Sequence, residues 1–376
     1  MAVDSPHRQT SRDSRGLLLY DRVREQLDHL ISRFALQAHE TLLGQAFELL
    51  SREALAIPAG AGGPGYFSTL NEDGTPFQLA LALHRADASV ELQFLGEVGG
   101  FNLSNQERQD LALETVSALS RLFGCENEWR ANRAVVERFA PRDNLELSTD
   151  TGSAFWLGVS CRPREAPRLL LYANAHYGSD RAPWSRLAEW ASHLGARDRW
   201  ESQQPLLREK MRPLGVSLSL QAGRPPAGRI YVRGYGNPLN YYQHLAAAAI
   251  GTPFAELLET SAYALLGAEC AYPMRSVVCS YAFAKDRHLD FKTELCAHCL
   301  FNTDTEATTR CRDWLHRLGM PVGPYLAFLR NLIGDPPPAT ARGLHSFVGL
   351  GSDAHRAYCT LYFNPGAAAN LWSLPR

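Results

Sequence analysis

The chain has 376 residues, about twice the length of a typical single domain. Its 38 basic and 39 acidic side chains leave a net charge of −1, which gives no general attraction to nucleic acid or to an anionic membrane. The hydrophobic content of 45% is typical of a globular protein, and no apolar run reaches the roughly 18 residues of a membrane-spanning helix. These values exclude a largely disordered chain and a helical membrane protein, and they predict no nucleic-acid or membrane partner.

Residues 1–15 are polar and contain no apolar segment, a pattern that predicts a flexible N-terminal tail and not a secretion signal. A single domain is expected to follow over residues 16–376. The eight cysteines show no regular spacing, which favours buried thiols in a reducing compartment. We therefore expect a cytoplasmic protein.

Strand-like and helical patterns alternate along the chain in a fixed order. Helical stretches begin at capping-box patterns, as at Ser104–Glu107 and Thr303–Glu306, and end near glycines such as Gly195 and Gly319. Between them lie strand-like runs in pairs, each with the short connection of an antiparallel hairpin. The five pairs are 77–84 with 90–95, 154–161 with 168–174, 214–220 with 229–235, 276–284 with 289–296, and 344–350 with 357–363.

Polar and apolar residues alternate within these runs. In 229–235, for example, one face carries Arg229, Tyr231, Arg233 and Tyr235. The helices need an apolar surface to cover, so we expect the apolar strand faces to point outward and the polar faces inward. Closure of the sheet would remove its exposed edges. The sequence therefore predicts an α+β fold of five α-β-β-α repeats, a closed ten-stranded antiparallel β-barrel with a polar lumen inside a ring of helices; an open sheet with one solvated face is the alternative.

Cationic and tyrosine side chains recur at the inferred inward positions. Clustered guanidinium groups bind phosphate or diphosphate through paired hydrogen bonds, and tyrosine rings attract cations. A chamber with both features can hold an anionic leaving group and shelter a carbocation from water, as the transfer of an allylic group from a diphosphate ester requires. The cations are Arg162, Arg168, Arg229, Arg233 and Lys292, and the tyrosines are Tyr172, Tyr231, Tyr235, Tyr358 and Tyr362.

Three stretches carry a resemblance to a known family. Asp73–Leu79 (DGTPFQL) resembles a DGTP-x-E-x-S segment, 168–174 and 229–235 resemble strands of K-x-Y and R-x-K-x-Y type, and 346–365 resembles a closing hairpin. Together with the repeated order of elements, they make the chain similar to the aromatic prenyltransferases of the ABBA or PT-barrel type, in particular the dimethylallyltryptophan synthase-like indole prenyltransferases. The resemblance covers residues from about 20 to 370 and implies the same barrel.

The resemblance also implies an activity and roles for individual residues. Members of the family move a prenyl group, most often dimethylallyl, from an allylic diphosphate onto an electron-rich aromatic ring such as an indole, tryptophan, tyrosine or a peptide. Gln78 would orient the acceptor, and Tyr172, Tyr235 and Tyr362 would shield the allylic cation. The predicted diphosphate-binding set is Arg168, Arg229, Tyr231, Arg233, Lys292 and Tyr358, and the predicted acceptor-binding set is Gln78, His84 and Trp156.

No cofactor or metal is expected, because the indole branch of the family needs none for its chemistry. Asp290 and Glu294 could hold Mg²⁺, but carboxylates two residues apart on a strand are more often simple polar positions. Cys296 and Cys299 enclose His298 in a lone C-x-x-C pattern. A second ligand pair at zinc-finger spacing is missing, which favours buried thiols over a metal site.

Four positions depart from the family pattern. Neutral Gln78 stands where a glutamate is usual, and Gln93, Leu170 and Tyr231 stand where the family has diphosphate-binding cations. Arg162, Arg168, Arg229 and Lys292 occupy neighbouring inward positions and could compensate. Two interpretations remain open: the diphosphate site has been rebuilt, or the barrel has become another enzyme or a small-molecule-binding protein that does not use an allylic diphosphate.

Overall fold

Ten β-strands form the centre of the molecule. The computed structural model describes residues 18–58, 68–85, 89–100, 102–141, 154–178, 181–267, 271–283, 290–333, 339–352 and 356–372, so the predicted tail over 1–15 lies outside the described residues. The strands are β1 Phe77–His84, β2 Val90–Gly96, β3 Phe155–Cys161, β4 Arg168–Asn174, β5 Met211–Leu220, β6 Ala227–Gly234, β7 Val277–Phe283, β8 Asp290–Cys296, β9 His345–Ser352 and β10 Ala357–Phe363. All five predicted hairpins are confirmed.

Helices precede each hairpin and form the outer layer. Each of the first four hairpins follows two helices. The fifth hairpin also follows two helices, and a single-turn helix comes before these two. A 3₁₀ turn, Gln37–His39, joins the first two helices. The helices are α1 Leu19–Arg33, α2 Glu40–Ser51, α3 Asn105–Leu122, α4 Glu126–Glu137, α5 Ala182–His193, α6 Arg197–Arg208, α7 Leu239–Ile250, α8 Thr252–Leu266, α9 Ala297–Leu300, α10 Asp304–Arg317, α11 Val322–Ile333 and α12 Pro365–Trp372.

The sheet closes on itself. Every strand pairs antiparallel with its neighbours in sequence, and β1 also pairs with β10 through a register that runs from Leu79 opposite Phe363 to His84 opposite Tyr358. The result is a closed ten-stranded antiparallel barrel surrounded by helices. The predicted fold class is thus confirmed, and the open sheet is excluded.

The alternation of residues along the strands explains why the helices surround the barrel. On β1 the outward residues Leu79, Leu81 and Leu83 are fully buried, and they belong to one hydrophobic core with Leu119 of α3 and Phe328 of α11. Burial of such apolar side chains is the main favourable contribution to folding. The polar faces of the same strands are consequently left to line the lumen.

Some element boundaries differ from the predictions. The Ser104–Glu107 capping box is confirmed with both of its hydrogen bonds. At Thr303–Glu306 the structure gives one half of the predicted motif, in which the Thr303 side chain accepts from the backbone N–H of Glu306. Strand β5 begins at Met211, three residues before the predicted start, because a register shift after Pro213 accommodates this proline, which has no N–H to donate. Strand β6 ends at Gly234, so Tyr235 lies one residue beyond the strand that was expected to contain it.

Among the helices of the described residues, none is long and apolar enough to cross a membrane.

Candidate active site

The lumen has two ends that differ in structure. At the turn end, the short hairpin connections join the paired strands, and this end includes His84 and Asp290. At the helix end, the strands connect to helices, and this end includes Gln78, Arg233 and Cys296. Inward-facing polar side chains occupy both ends and the space between them.

A buried carboxylate organises the turn end. Arg162 Nε and Arg168 Nη2 donate hydrogen bonds to the two oxygens of Glu91, each at 2.6 Å, and Ser160 Oγ donates to the same carboxylate at 2.5 Å. Arg162 Nη2 also lies 2.7 Å from His84 Nε2. Two of the cations inferred to face the lumen therefore share one anion.

The pKa of Glu91 reflects this arrangement. Burial alone would raise the pKa of this carboxyl, but Arg168, the hydrogen bond with His84, Arg162 and Ser160 together hold it well below its usual value of 4.5. Glu91 is therefore ionised at neutral pH, and its carboxylate is a weak base.

A second ion pair lies between β6 and β8. Arg229 Nη2 donates to Asp290 and also to Tyr358 Oη at 2.8 Å, while Tyr358 Oη donates to Asp290 Oδ1 at 3.0 Å. Ser280 Oγ accepts from Arg229 Nη1 at 3.2 Å. Burial by itself would lower the pKa of Arg229, but Asp290, helped by the nearby phenols, raises it well above its usual value. Arg229 therefore carries a permanent positive charge.

A third ion pair lies deeper in the lumen. Lys292 Nζ donates to Glu294 Oε1 at 2.7 Å and to Tyr362 Oη at 2.8 Å, and it also lies 4.9 Å from the centre of the Tyr362 ring. Tyr362 Oη donates to Glu294 Oε1 at 2.5 Å. Burial lowers the pKa of Lys292 although Glu294 opposes this, and Lys292 keeps the pKa of Glu294 below its usual value against the effect of burial. The tyrosine thus offers its ring and its hydroxyl to one charged pair.

Two glycines on β9 make room for these side chains. A Cβ atom on Gly351 would lie 2.2 Å from Tyr358 Cζ, and one on Gly349 would lie 2.8 Å from Lys292 Cε. Any other residue at Gly351 would therefore force the Tyr358 ring away from Arg229. The absence of side chains on this part of β9 is what lets its neighbours extend across the lumen.

The remaining aromatic residues form a wall on β3, β4 and β6. The Tyr172 and Tyr231 rings lie 5.9 Å apart, and Tyr231 Oη is 3.3 Å from Ser217 Oγ. Trp156 pairs with Tyr172 across the sheet, and its indole Nε1 is buried with no hydrogen-bond partner among the described atoms. Burial raises the pKa of Tyr172 to about 12 and raises the pKa of Tyr231 well above its usual value of 10. These phenols are therefore neutral at physiological pH.

Gln78 lies at the helix end, where a loop holds its side chain. Gln78 Nε2 donates to Asn71 Oδ1 and to the carbonyl oxygen of Leu70, both at 3.4 Å. Asn71 is in turn fixed by bonds to Thr75 O and Phe77 O and by Ser346 Oγ, which donates to Asn71 Oδ1 at 2.6 Å. The sequence analysis missed Asn71 and Ser346. Asn71 lies two residues before the first residue of the DGTP motif, whereas nothing in the sequence links Ser346 to Gln78.

Arg233 differs from the other cations of the predicted diphosphate set. Its Nε atom is buried, and within the part of the chain that the structure describes it has no hydrogen-bond partner. Tyr235, two residues after Arg233, is 36% exposed, and the Arg275 guanidinium lies 5.5 Å from its ring centre. Tyr235 is thus at the mouth of the helix end, outside the row formed by Tyr231 and Arg233.

The structure brings most of the predicted site residues into one lumen. Five cations face three carboxylates there, so part of the positive charge inferred for diphosphate binding is already neutralised. The pairing could not be read from the sequence, because it depends on which inward positions become neighbours across the barrel. The residues that share the lumen are Gln78, His84, Trp156, Arg168, Tyr172, Arg229, Tyr231, Arg233, Lys292, Tyr358 and Tyr362, with Tyr235 at its mouth.

The chain is similar to known proteins in its three-dimensional structure, whereas comparison of its sequence finds no match. No family model matches the chain, and no curated protein matches it. The 6-dimethylallyltryptophan synthase from Micromonospora olivasterospora, solved with DMASPP and Trp, is 20% identical, with a TM-score of 0.79 over 94% of this chain and 99% of the other. The 5-dimethylallyl tryptophan synthase from Streptomyces coelicolor, also with DMASPP and Trp, is 19% identical, with a TM-score of 0.80 over 95% and 97%. AnaPT from Neosartorya fischeri is 14% identical, with a TM-score of 0.64 over 90% and 91%.

These likenesses extend over nearly the whole length of both partners in each comparison. They agree with the closed barrel and the repeated order of its helices and hairpins. The chain therefore has the PT-barrel fold, the fold of the dimethylallyltryptophan synthases.

Proposed function

We propose that the chain is an aromatic prenyltransferase. It transfers a dimethylallyl or longer prenyl group from an allylic diphosphate to an electron-rich aromatic acceptor such as an indole, tryptophan, tyrosine or a peptide. The observation that carries the proposal is the enclosed lumen, in which neutral tyrosines lie beside cationic side chains within a closed barrel. The barrels with the same fold that were solved with DMASPP and Trp support it.

The allylic cation is stabilised by the aromatic wall. Tyr172, Tyr231 and Tyr362 present neutral rings, and the Lys292 ammonium group lies 4.9 Å from the centre of the Tyr362 ring, beside its hydroxyl. A carbocation is attracted by the same ring quadrupole. Because a closed ring of β-strands surrounds this space, water can approach the cation only through the ends of the barrel before the acceptor attacks it.

The diphosphate is held by Arg233, Lys292 and Arg229, with Tyr231 and Tyr358 as hydroxyl donors and Arg168 as a further cation. Arg233 offers an unpartnered buried donor, whereas Arg229 and Lys292 must exchange a carboxylate partner for the phosphate oxygens. Donors arranged in this way stabilise the negative charge that develops as the carbon–oxygen bond breaks.

The acceptor lies at the helix end, against Gln78. The loop residues hold the amide nitrogen of Gln78, so its oxygen can accept a hydrogen bond from an acceptor N–H or O–H. Trp156 adds an aromatic surface and an unpartnered indole N–H. His84 lies six residues further along β1, about 20 Å away at the turn end beside Arg162, so it does not contact the same acceptor. A neutral amide orients the acceptor but does not remove its proton.

No metal is required in this scheme. The two carboxylates considered for Mg²⁺, Asp290 and Glu294, are each paired with a cation, Arg229 and Lys292. A divalent ion would have to displace both. Basic side chains therefore neutralise the charge of the departing diphosphate.

The second candidate is a PT-barrel protein that does not use an allylic diphosphate. The three lumen carboxylates favour it, because each occupies a cation that an incoming diphosphate would need. Such a barrel would be another enzyme, or it would bind a small aromatic molecule without converting it. We also propose a cytoplasmic location, for which the seven free cysteines of the described chain give support.

Calorimetric titration with dimethylallyl thiolodiphosphate separates the two candidates. The proposed function requires saturable binding, and incubation with dimethylallyl diphosphate and tryptophan, tyrosine or small peptides should then yield products heavier by one prenyl unit. No binding at millimolar concentration rules out the first candidate. Binding of the analogue without any transfer over a broad acceptor panel favours the second.

A further inference from the structure

Two cysteines and a histidine converge at the helix end of the barrel, outside the residues used above. Cys296 is the last residue of β8, and Cys299 and His298 belong to the single turn of α9 that follows it. Their ligand atoms all lie within 4.8 Å of one another, and Cys296 Sγ is 3.3 Å from His298 Nδ1 and 3.5 Å from Nε2. Three potential ligands in so short a segment are held by the bend between strand and helix.

The chemistry of these groups selects the kind of ion. Two thiolates and an imidazole match the Cys₂His set that binds Zn²⁺, and hard ions such as Mg²⁺ and Ca²⁺ prefer oxygen ligands instead. A three-ligand zinc site leaves its fourth position to water or to another molecule. The sequence alone assigns this pattern to buried thiols, but the fold brings the three groups close enough to share one ion.

The surroundings orient the imidazole as a ligand. His298 Nδ1 faces Glu72 Oε2 at 3.7 Å, which leaves Nε2 for the ion. Metal-binding histidines commonly have a carboxylate or carbonyl group beside the second ring nitrogen. Glu72 also belongs to the loop that carries Asn71, the partner of Gln78.

We propose that Cys296, His298 and Cys299 bind one Zn²⁺ ion at the helix end of the barrel, with Glu72 as the carboxylate that orients His298. The ion connects the end of β8 and the turn of α9 to the loop before β1. The inference does not depend on the proposed prenyl transfer.

Binding of Zn²⁺ to the reduced full-length protein, measured in competition with a chromophoric chelator, tests the site. We expect one ion per chain. Loss of a ligand in His298→Ala or Cys299→Ser should weaken binding by more than about 100-fold, since loss of an outer partner already weakens it by roughly 10–100-fold. Glu72→Gln is such an outer change and should weaken binding by roughly tenfold. Co²⁺ should give the visible bands of a tetrahedral thiolate site in the unmodified protein.

Cys125→Ser is the matched control, because it makes the same thiol-to-hydroxyl change at the N-cap of α4, where serine is a favourable residue. It should leave Zn²⁺ affinity and the Co²⁺ spectrum unchanged. His298 is partly exposed, so His298→Ala is expected to fold and serves if a cysteine variant does not. Equal Zn²⁺ affinity in the unmodified protein and in His298→Ala, or no binding of Zn²⁺ to the reduced protein, overturns the proposal.

Discussion

The inward cations are not equivalent to one another. Glu91 binds Arg162 and Arg168, and Asp290 and Glu294 bind one cation each, so the affinity of the lumen for an anion depends on how easily these pairs separate. The attraction within a buried ion pair counteracts the cost of removing two charges from water, often only in part, and removing one partner leaves the other charge uncompensated. Arg233 stands apart because its buried Nε lacks a hydrogen-bond partner among the described residues.

Substitution of Arg233 by alanine tests its place in the diphosphate site. A hydrogen bond to a charged group contributes about 1.5–3 kcal/mol, so Arg233→Ala should weaken binding of dimethylallyl thiolodiphosphate by roughly 10–100-fold. The measurement is calorimetric titration. Arg130→Ala is the matched control, since Arg130 is an exposed arginine on α4, in the helical layer outside the barrel. If both variants bind the analogue equally well, Arg233 lies outside the site.

Glu91→Gln should have the opposite effect on the anion and a cost in stability. Without the carboxylate, Arg162 and Arg168 become available to phosphate oxygens, so binding of dimethylallyl thiolodiphosphate should become tighter. The free energy of unfolding should fall by up to roughly 3–5 kcal/mol, because two partly buried arginines, with side chains 25% and 32% exposed, lose their common buried partner. Titration calorimetry and urea unfolding measure the two effects.

Glu165→Gln is the control for that prediction. Glu165 also pairs with Arg162, at 3.6 Å, but its side chain is 40% exposed, so solvent weakens this ion pair. It should change neither analogue binding nor stability appreciably. A folded Glu91→Gln protein with unchanged analogue affinity would show that Glu91 does not limit anion binding.

At the scale of the elements, helices and hairpins meet through one apolar layer. Outward residues of the strands and inward residues of the helices form a single hydrophobic core, which fixes the barrel inside its helical ring. The caps then determine where individual helices begin. The reciprocal bonds of Ser104 and Glu107 at the start of α3 satisfy two backbone N–H groups that the helix itself leaves without partners.

Removal of this cap should be measurable on its own. Ser104→Ala should lower the free energy of unfolding by about 1 kcal/mol, the usual contribution of an N-cap side chain. Urea unfolding followed by circular dichroism provides the measurement. Ser192→Ala is the control, because Ser192 is exposed inside α5 and bonds only to the preceding turn. A loss in Ser192→Ala as large as that in Ser104→Ala would contradict the assigned role of the cap.

The sequence predicts these elements well because their periods are local. Alternation within 229–235 identifies the inward face, and short polar connections identify the hairpins. It does not predict which inward residues meet, since Glu91 on β2 and Arg168 on β4 become neighbours only through the register of the intervening strand β3. Tyr235 continues the alternation in sequence, but the strand has ended at Gly234 and its ring lies at the mouth.

At the scale of the whole molecule, the lumen ion pairs make stability depend on pH. The pKa of Glu91 is well below 4.5 in the folded protein, against its usual value of 4.5 when unfolded. A carboxyl with a lowered folded pKa stabilises the protein above its unfolded pKa, and this stabilisation is lost as the pH falls through the folded value. The contribution of Glu91 is therefore constant near neutrality and declines below pH 4.5.

The difference in unfolding free energy between the unmodified protein and Glu91→Gln should follow that dependence. It should be constant from neutral pH to about pH 5 and should shrink in more acidic solutions, because the unmodified protein then protonates Glu91 on unfolding. Urea unfolding at a series of pH values measures this difference. Glu165→Gln should show no such trend. A difference in unfolding free energy that stays constant into strong acid would show that folding does not lower the pKa of Glu91.

The pairing of β1 with β10 has a consequence for how the chain acquires its structure. Nine of the ten strand pairings join consecutive strands, but this last one joins the first strand to the final strand of the chain. Contacts between distant segments form slowly because the entropy of a large loop must be overcome first. Until the final hairpin has left the ribosome, the nascent sheet has two unpaired edges and an unsealed interior, and a chaperone that covers such edges would protect it from aggregation.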